Sequence, residues 1–260
     1  MGAGVQVFSV PATGIAERPY DCVAYVSAVS IRCGISRSYT AFNYPMQKNQ
    51  MANSNSSVRP IAILFARVRR KVIATLDNFK HGGDTGGVIE SPHAHLGAHH
   101  TVSTDHALIP YLLDPVLSAG DVFVDVGCGR GRLLNWVLDD GRASAIYGLE
   151  LDKLVAAQVA QRLAKEDRVT VVAGDALLSL PDAATMFYLW NPFNEVVMAR
   201  FKETLLEKYG RIGSLSGIRI VYHNCRHADV WTTDKRCSVE PIVLPPDVEH
   251  RAILITFPQG

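Results

Sequence analysis

The strongest constraint in this sequence is the stretch Val122–Arg132, which reads Val-Phe-Val-Asp-Val-Gly-Cys-Gly-Arg-Gly-Arg. It begins with residues of high β propensity, reaches an acidic residue at Asp125, and then has a glycine at positions 127, 129 and 131. An apolar pattern with helical spacing follows over residues 133–138. Because glycine has no Cβ, a ligand can approach the backbone N–H groups at the start of that helix. The stretch therefore predicts a strand, a ligand-binding turn and a helix.

Two cofactor classes use a glycine-rich turn of this kind, and the glycine spacing distinguishes them. Dinucleotide-binding turns need the spacing G-x-G-x-x-G. The sixth residue counted from Gly127 is Arg132, and the sixth counted from Gly129 is Leu134. The spacing fails in both registers, which disfavours a nicotinamide-dependent oxidoreductase.

The pattern Asp-x-Gly-x-Gly-x-Gly instead resembles motif I of the class I S-adenosylmethionine-dependent methyltransferases. The resemblance implies that S-adenosyl-L-methionine is the cofactor and that the glycine loop wraps its amino-acid end. The acidic residue would then support both the loop and the ammonium group of the cofactor. The cofactor-binding residues implied for this turn are Asp125, Gly127, Cys128, Gly129 and Gly131.

Strand and helix patterns alternate after this turn. Strands are predicted at residues 145–151, 169–173, 185–190 and 217–222, and helices at residues 154–163 and 195–209. Strands separated by helices form right-handed βαβ units and a parallel sheet that is covered on both faces. Residues 239–244 and 251–257 have no helix between them, which predicts a closing hairpin. The expected fold class is α/β, a Rossmann-like doubly wound and mostly parallel sheet of seven strands with a C-terminal antiparallel hairpin.

Polar residues stand at the ends of these predicted strands, where open parallel sheets bind their ligands. Glu150 ends the second strand, and Asp175 and Ala176 follow the third. The resemblance implies that Glu150 accepts the two ribose hydroxyls. It also implies that Asp175 meets the adenine amino group and that the N–H of Ala176 meets a ring nitrogen. The alternatives are a solvated strand-end carboxylate at Glu150 and an ordinary turn at Asp175.

The tripeptide Asn191-Pro192-Phe193 ends the fourth strand. It resembles the Asn-Pro-Pro-Tyr motif of amino methyltransferases, in which the Asn side chain and a carbonyl hold the target nitrogen. Asn191, Pro192 and Phe193 are therefore the catalytic candidates, although the second proline is missing and Phe replaces Tyr. The same tripeptide suits a helix start, with Asn191 as its N-cap, and this alternative stays open. It also resembles the Asn-Asn-Phe of the non-SET histone lysine methyltransferases and their bacterial relatives.

The segment before the glycine turn is predicted to cover the cofactor. Residues 101–113 read as a helix that Ser103 or Thr104 could cap. The resemblance places this segment over the methionine end of the cofactor, so Thr101 and Thr104 are candidate cofactor contacts. The sequence nearby is rich in histidine, at His93, His95, His99, His100 and His106. Because no cysteine accompanies them, we interpret them as part of a covering loop and predict no metal site.

Three parts of the chain are distinguished by composition. Residues 1–57 are predicted to be a poorly ordered arm and linker, since proline and glycine interrupt the apolar patches and residues 47–57 are rich in Asn and Ser. A true start at Met46 or Met51 is the alternative. Residues 58–119 form a helical segment and covering loop, in which residues 58–80 read as an amphipathic helix with a basic, solvated face. Residues 120–260 form the methyltransferase core.

Charge and cysteine content limit the partners and the compartment. The formal net charge of +1 gives no general attraction to nucleic acid or to an anionic membrane. The expected methyl acceptor is therefore a small molecule or a protein side chain. No run approaches the ~20 consecutive apolar residues of a membrane span. Five cysteines without a C-x-x-C pair indicate a reducing cytoplasm.

The last parallel strand is followed by His223, Cys225 and His227. We interpret them as lining the substrate mouth, with His223 a candidate base, and a metal clip is the alternative. Taken together with the resemblance, the residues predict an enzyme that transfers a methyl group from S-adenosylmethionine to a nitrogen acceptor. The alternative function is a methyltransferase-like module that binds the cofactor or a partner without turnover.

Overall fold

The described part of the chain comprises residue 68 and residues 71–89, 97–98 and 101–258 of the computed structural model. The predictions for residues 1–57, and those for His93, His95, His99 and His100, lie outside these ranges.

The fold is built on one large sheet, preceded by a small ribbon. The ribbon pairs β1 (Val88–Ile89) with β2 (Thr101–Val102) in antiparallel fashion. The large sheet contains β3 (Val122–Val126), β4 (Ala145–Glu150), β5 (Val169–Ala173), β6 (Met186–Trp190), β7 (Arg219–His223), β8 (Ser238–Ile242) and β9 (Ala252–Thr256). Strands β3 to β7 are parallel, whereas β9 runs antiparallel to both β7 and β8. The predicted fold class, with its C-terminal antiparallel hairpin, is confirmed.

The strand order is β5-β4-β3-β6-β7-β9-β8. The chain winds outward from β3 through β4 to β5, and then returns to the other side of β3 to form β6 and β7. The order therefore reverses between β3 and β6, and ligands of open α/β sheets bind beyond the strand ends at such a point. The glycine turn follows β3 and Asn191 follows β6, so both predicted motifs lie at this switch point.

Helices cover both faces of the sheet. They are α1 (residues 71–80), α2 (Ile109–Leu113), α3 (Arg132–Asp140), α4 (Lys153–Arg162), α5 (Glu195–Arg211) and α6 (Asp229–Thr232). Consecutive strand residues point to opposite faces, so Phe123 joins the apolar cluster that contains α2 and α3, and Val124 joins the cluster that contains α5. The strand β3 therefore contributes side chains to two apolar clusters, one on each face of the sheet.

The segment before β3 differs from its prediction. A continuous helix over residues 101–113 is wrong, because β2 occupies the first two residues and only Ile109–Leu113 is helical. β2 instead pairs with β1. Pro110, in the first turn of α2, suits a helix start, because the first N–H groups of a helix have no partner within it.

Helix α1 lies within the predicted amphipathic segment, but its apolar residues are not its buried side. Val72, Leu76 and Phe79 are 51%, 63% and 89% exposed. The side facing the domain is polar: Asp77 accepts a hydrogen bond from Thr85 Oγ1 (3.1 Å) and pairs with His106 Nε2 (3.1 Å). Apolar periodicity located the helix correctly, whereas polar contacts decide its orientation.

Candidate functional site

The glycine turn is held open by backbone hydrogen bonds to the neighbouring strand. The carbonyl of Leu149 accepts from the N–H groups of Gly127 (2.8 Å) and Cys128 (3.0 Å). Gly127, Gly129 and Gly131 all have positive φ angles, of 79°, 51° and 74°. L-residues with side chains rarely adopt such angles, which explains the alternate glycines.

Two of the glycines in this region are required by packing. A Cβ on Gly131 would lie 2.8 Å from Cγ1 of Val159 in α4. A Cβ on Gly148, in the middle of β4, would lie 2.7 Å from Leu134 and 2.8 Å from the Cys128 sulfur. Gly131 therefore allows α3 and α4 to pack closely, and Gly148 makes room beneath the turn. Sequence reasoning did not identify Gly148.

Asp125 and Glu150 place two buried carboxyl groups beside the turn. Asp125 is 4% exposed, and among the described residues no group donates a hydrogen bond to its carboxylate. Burial, together with the nearby Glu150, raises the pKa of Asp125 to about 8. Glu150 accepts from the N–H groups of Gly129 (2.8 Å) and Asp152 (3.0 Å). Burial raises the pKa of Glu150, while these two donors act in the opposite direction.

Asp175 and Ala176 follow β5, the strand beside Glu150. Glu150 pairs with Ala173 in the sheet, and the N–H of Gly174 donates to the Glu150 carbonyl (2.9 Å). Asp175 is exposed and accepts a hydrogen bond from the N–H of Leu177 at 2.9 Å. Ala176 is buried in the core on the α5 side. The structure thus brings the ends of β4 and β5 together.

Asn191 occupies the left-handed region at the end of β6, with φ 43°. Its side chain is buried, and Oδ1 accepts a hydrogen bond from the Tyr222 hydroxyl (2.8 Å). The N–H of His227 donates in turn to the Tyr222 oxygen (3.2 Å). The capping alternative for Asn191 is wrong, because the N-cap of α5 is Asn194, whose side chain accepts from the N–H of Val197 (3.0 Å).

Pro192 and Phe193 connect Asn191 to both sides of the site. A Cβ on Gly127 would lie 3.5 Å from Cβ of Pro192, so the tripeptide borders the glycine turn. Phe193 is buried and packs against Phe201 of α5, with 5.5 Å between the ring centroids. It also forms an isolated antiparallel bridge with Ala98. A segment that precedes the glycine turn in sequence therefore runs along the tripeptide.

The two predicted threonine contacts lie in different surroundings. Thr101 is part of β2. Thr104 is buried, and its hydroxyl lies 2.7 Å from the hydroxyl of Tyr188. The Thr104 carbonyl accepts from Arg132 at the start of α3 (3.0 Å). Sequence reasoning missed Tyr188 and Tyr222, because a tyrosine inside an apolar strand carries no sign of its hydroxyl partner.

The groups gathered here fit S-adenosylmethionine. Its ammonium and its ribose hydroxyls are hydrogen-bond donors, and the buried acceptors beside the turn are the Asp125 and Glu150 carboxylates. A carboxyl group whose ionised form lacks a donor is suited to a cationic partner. The positive φ angles of the turn give a backbone surface without side chains, as close approach of a ligand requires.

One family model and several solved structures are similar to this chain. Residues 124–200 match the family model described as a methyltransferase domain. The B. subtilis M1A22 tRNA methyltransferase TrmK has a similar structure (16% identity, TM-score 0.47), with 60% of this chain and 67% of that chain covered. A dimethyladenosine transferase from Plasmodium falciparum is also similar (14%, TM-score 0.43, coverages 59% and 60%). So is the pyocyanin biosynthetic protein PhzM (20%, TM-score 0.42, coverages 58% and 53%). No curated protein matches the chain.

The sheet order and the glycine turn define the class, which is the Rossmann-like class I methyltransferase fold. The matched segment runs from β3 into α5 and includes the glycine turn, Glu150, Asp175 and the Asn191 tripeptide. The match of residues 124–200 identifies an S-adenosylmethionine-dependent methyltransferase domain in this chain.

Two further observations concern the described residues alone. Within them, no helix combines the length and the apolar character needed to cross a membrane. In the same ranges, no three His, Cys, Asp or Glu side chains are placed to hold a metal ion.

Proposed function

We propose that this enzyme transfers the methyl group to a nitrogen acceptor bound beside Asn191, at the C-terminal ends of β6 and β7. The observation that carries this proposal is the geometry of Asn191. Asn191 adopts the left-handed region that few non-glycine residues use, and the Tyr222 hydroxyl holds its buried side chain at the end of β6.

The hydrogen bond from Tyr222 supports a positioning role for Asn191. It fixes the amide plane and occupies one lone pair of Oδ1. A carbonyl oxygen has two lone pairs, so one remains to accept an N–H from the acceptor. An amino group held in this way keeps its own lone pair free to attack. Pro192 and Phe193 are proposed to complete this pocket, because they connect Asn191 to the glycine turn and to α5.

The cofactor contacts are proposed as follows. Asp125 binds the ammonium, and Gly127, Cys128, Gly129 and Gly131 form the backbone surface around it. Glu150 binds the ribose hydroxyls, since each carboxylate oxygen accepts one backbone N–H and retains a further lone pair. Asp175 and Ala176 meet the adenine, and Thr101 and Thr104 lie near the methionine end.

The protein contributes alignment and exclusion of water. When bound, S-adenosylmethionine supplies a methyl group already activated by a positively charged sulfur. The residues therefore need only hold the acceptor nitrogen in line and desolvate it. The net charge of +1 supports a small molecule or a protein side chain as the acceptor.

Calorimetric titration with S-adenosylmethionine, followed by a transfer assay with a radioactive methyl group, tests this function. The assay should include amines, nucleosides, tRNA and lysine-containing peptides. Binding without transfer to any of them would support the alternative, a module that binds without turnover. Failure to bind the cofactor would contradict the proposal altogether.

The Asn191→Ala variant tests the acceptor contact, with Asn194→Ala as its matched control. Asn191→Ala should keep its cofactor affinity and lose turnover roughly a hundredfold, as loss of one positioning hydrogen bond does in a dry site. Asn194→Ala removes a true helix cap, so it should lose ~1 kcal/mol of stability and keep its turnover. Full activity in a stable Asn191→Ala enzyme would remove Asn191 from the catalytic residues.

A further inference from the structure

Three polar side chains form a buried chain of hydrogen bonds on one face of the sheet. The Thr104 hydroxyl lies 2.7 Å from the Tyr188 hydroxyl, which lies 3.0 Å from Nδ1 of His223. In the sheet register, Asp125 pairs with Tyr188, and Trp190 pairs with His223. Side chains of paired residues, and of residues two apart in a strand, share a face. This network of three side chains therefore lies on the same face of the sheet as Asp125, across the ends of β3, β6 and β7.

His223 is the last member of this hydrogen-bond network, and its second ring nitrogen, Nε2, points away from Tyr188. The residue is 1% exposed, and its Nε2 has no hydrogen-bond partner among the described residues. The rings of Trp190 and His250 stand nearly perpendicular to the imidazole, each with its centroid 5.9 Å away. Buried polar atoms in native proteins almost always have a partner, so a water molecule or a bound group is expected at this nitrogen.

The imidazole is neutral at physiological pH. Burial and the nearby His250 lower the pKa of His223 to about 4. The Tyr188 hydroxyl is in hydrogen-bond contact with the imidazole, and burial keeps the pKa of Tyr188 well above its ordinary value. A neutral imidazole has one donor nitrogen and one acceptor nitrogen, so the hydrogen bond at Nδ1 decides what Nε2 can do.

We propose that Nε2 of His223 accepts a hydrogen bond from the acceptor nitrogen and so orients it, and that Tyr188 and Thr104 are positioning residues that fix the tautomer of His223. Nδ1–H donates to the Tyr188 oxygen, the Tyr188 hydroxyl donates to Thr104, and Nε2 presents a lone pair. The acceptor nitrogen forms a bond to the methyl carbon as the methyl–sulfur bond breaks, and the cationic nitrogen then releases its proton to water. This inference rests on the proposed function.

Nitrogen-15 NMR of the histidine rings tests the tautomer without any turnover. We expect His223 to carry its proton on Nδ1 at pH 7. The Tyr188→Phe variant should lose this preference, whereas His250→Phe, which changes the neighbouring ring, should keep it. A proton on Nε2 in the wild-type protein would overturn the proposal.

Two cofactor analogues test whether Nε2 faces the transfer site. Sinefungin has an amino group where the methyl sulfonium stands, and S-adenosylhomocysteine has no group there. Sinefungin should shift the Nε2 resonance of His223 and should bind more tightly than S-adenosylhomocysteine. His223→Phe should reduce that preference roughly tenfold, and His223→Gln should retain part of it. An unchanged preference in His223→Phe would refute the inference alone, whereas failure of both analogues to bind the wild-type protein would refute the proposed function.

Discussion

Asp125 and Glu150 are buried in one site but are stabilised differently. Glu150 receives two backbone N–H groups, and these favour its ionised form. The carboxylate of Asp125 receives none from the described residues, and its pKa is raised to about 8. Without a cofactor, the folded protein therefore keeps Asp125 protonated over a range of pH in which the unfolded chain ionises it.

The Asp125→Asn variant should show this effect as a pH dependence of stability. Between about pH 4 and pH 8 the unfolded wild-type chain releases a proton that the folded state retains, so its free energy of unfolding falls as pH rises. The variant lacks this loss, and its stability relative to wild type should grow from pH 5 to pH 8 and then level off. Urea unfolding at pH 5, 7 and 9 measures it. The variant should nevertheless bind S-adenosylmethionine more weakly, because it lacks the carboxylate.

Asp121→Asn is the matched control for that experiment. Asp121 is also buried, but it pairs with Arg219 and accepts from the Thr185 hydroxyl (2.7 Å). Its replacement should destabilise the protein at pH 7 by breaking a buried pair. At pH 9 Asp125→Asn should be at least as stable as the wild-type protein. If it were instead destabilised as much as Asp121→Asn is at pH 7, the conclusion that folding keeps Asp125 protonated would be wrong.

At the scale of elements, the glycines of the turn allow neighbouring elements to pack closely and also leave the backbone open to a ligand. Gly131 is the residue before α3, and the space that its missing Cβ leaves is filled by Val159 and Arg162 of α4. Arg162 also donates to the carbonyl of Arg130 (2.6 Å) and to the side chain of Asn135 (3.0 Å). The turn is thus held by α4 on one side, and Pro192 borders Gly127 on the other.

Comparison of Gly131→Ala with Gly141→Ala separates strain from packing. Both glycines flank α3 with left-handed angles, of φ 74° and 81°, but a Cβ on Gly141 meets nothing within 4 Å. Each variant should lose ~1–2 kcal/mol to the backbone conformation. Gly131→Ala should lose a further ~1–3 kcal/mol, because the added methyl overlaps Val159. If urea unfolding showed the same loss of unfolding free energy in both variants, α4 would have moved away from the added methyl group without destabilising the protein.

At the scale of the whole molecule, the described N-terminal residues are bound to the core by polar contacts. His81 Nε2 lies 3.3 Å from Asp139 of α3, and Asp84 pairs with Arg130 at 2.9 Å. Asp77 pairs with His106. The two apolar clusters, in contrast, are formed by residues between Leu108 and Phe257. Residues 71–89 therefore make polar contacts with a domain whose apolar core is formed by residues later in the sequence.

A shortened chain beginning at Met51 should therefore remain folded. We expect its melting temperature to stay within ~4 °C of the full chain, which corresponds to about 1 kcal/mol in a domain of this size. A chain beginning at Ser103 lacks the contacts of residues 77–84 and should lose more. Scanning calorimetry of the three proteins measures this, and an insoluble product from the Met51 start would contradict the proposed role of residues 1–57 as an arm and linker.

The sequence by itself determined the features that depend on neighbouring residues. Strand and helix periods located β3 to β9, mostly to within two residues, because alternation and helical spacing are local properties. Alternate glycines and a strand-end acid located the turn for the same reason. The strand-end rule also gathered Glu150, Asp175 and Asn191 at one edge before any contact was known.

Only the tertiary structure decided which of these groups meet and what each one does. Asn191 and Asn194 are equally good caps by composition, but Tyr222, 31 residues away, occupies the side chain of Asn191. Thr104 and Tyr188 are separated by 84 residues, and nothing local to either predicts their contact. Helix α1 exposes its apolar stripe because Asp77 pairs with His106, outside its own segment. Local patterns determine elements, whereas hydrogen bonds between distant residues determine the chemistry of the site.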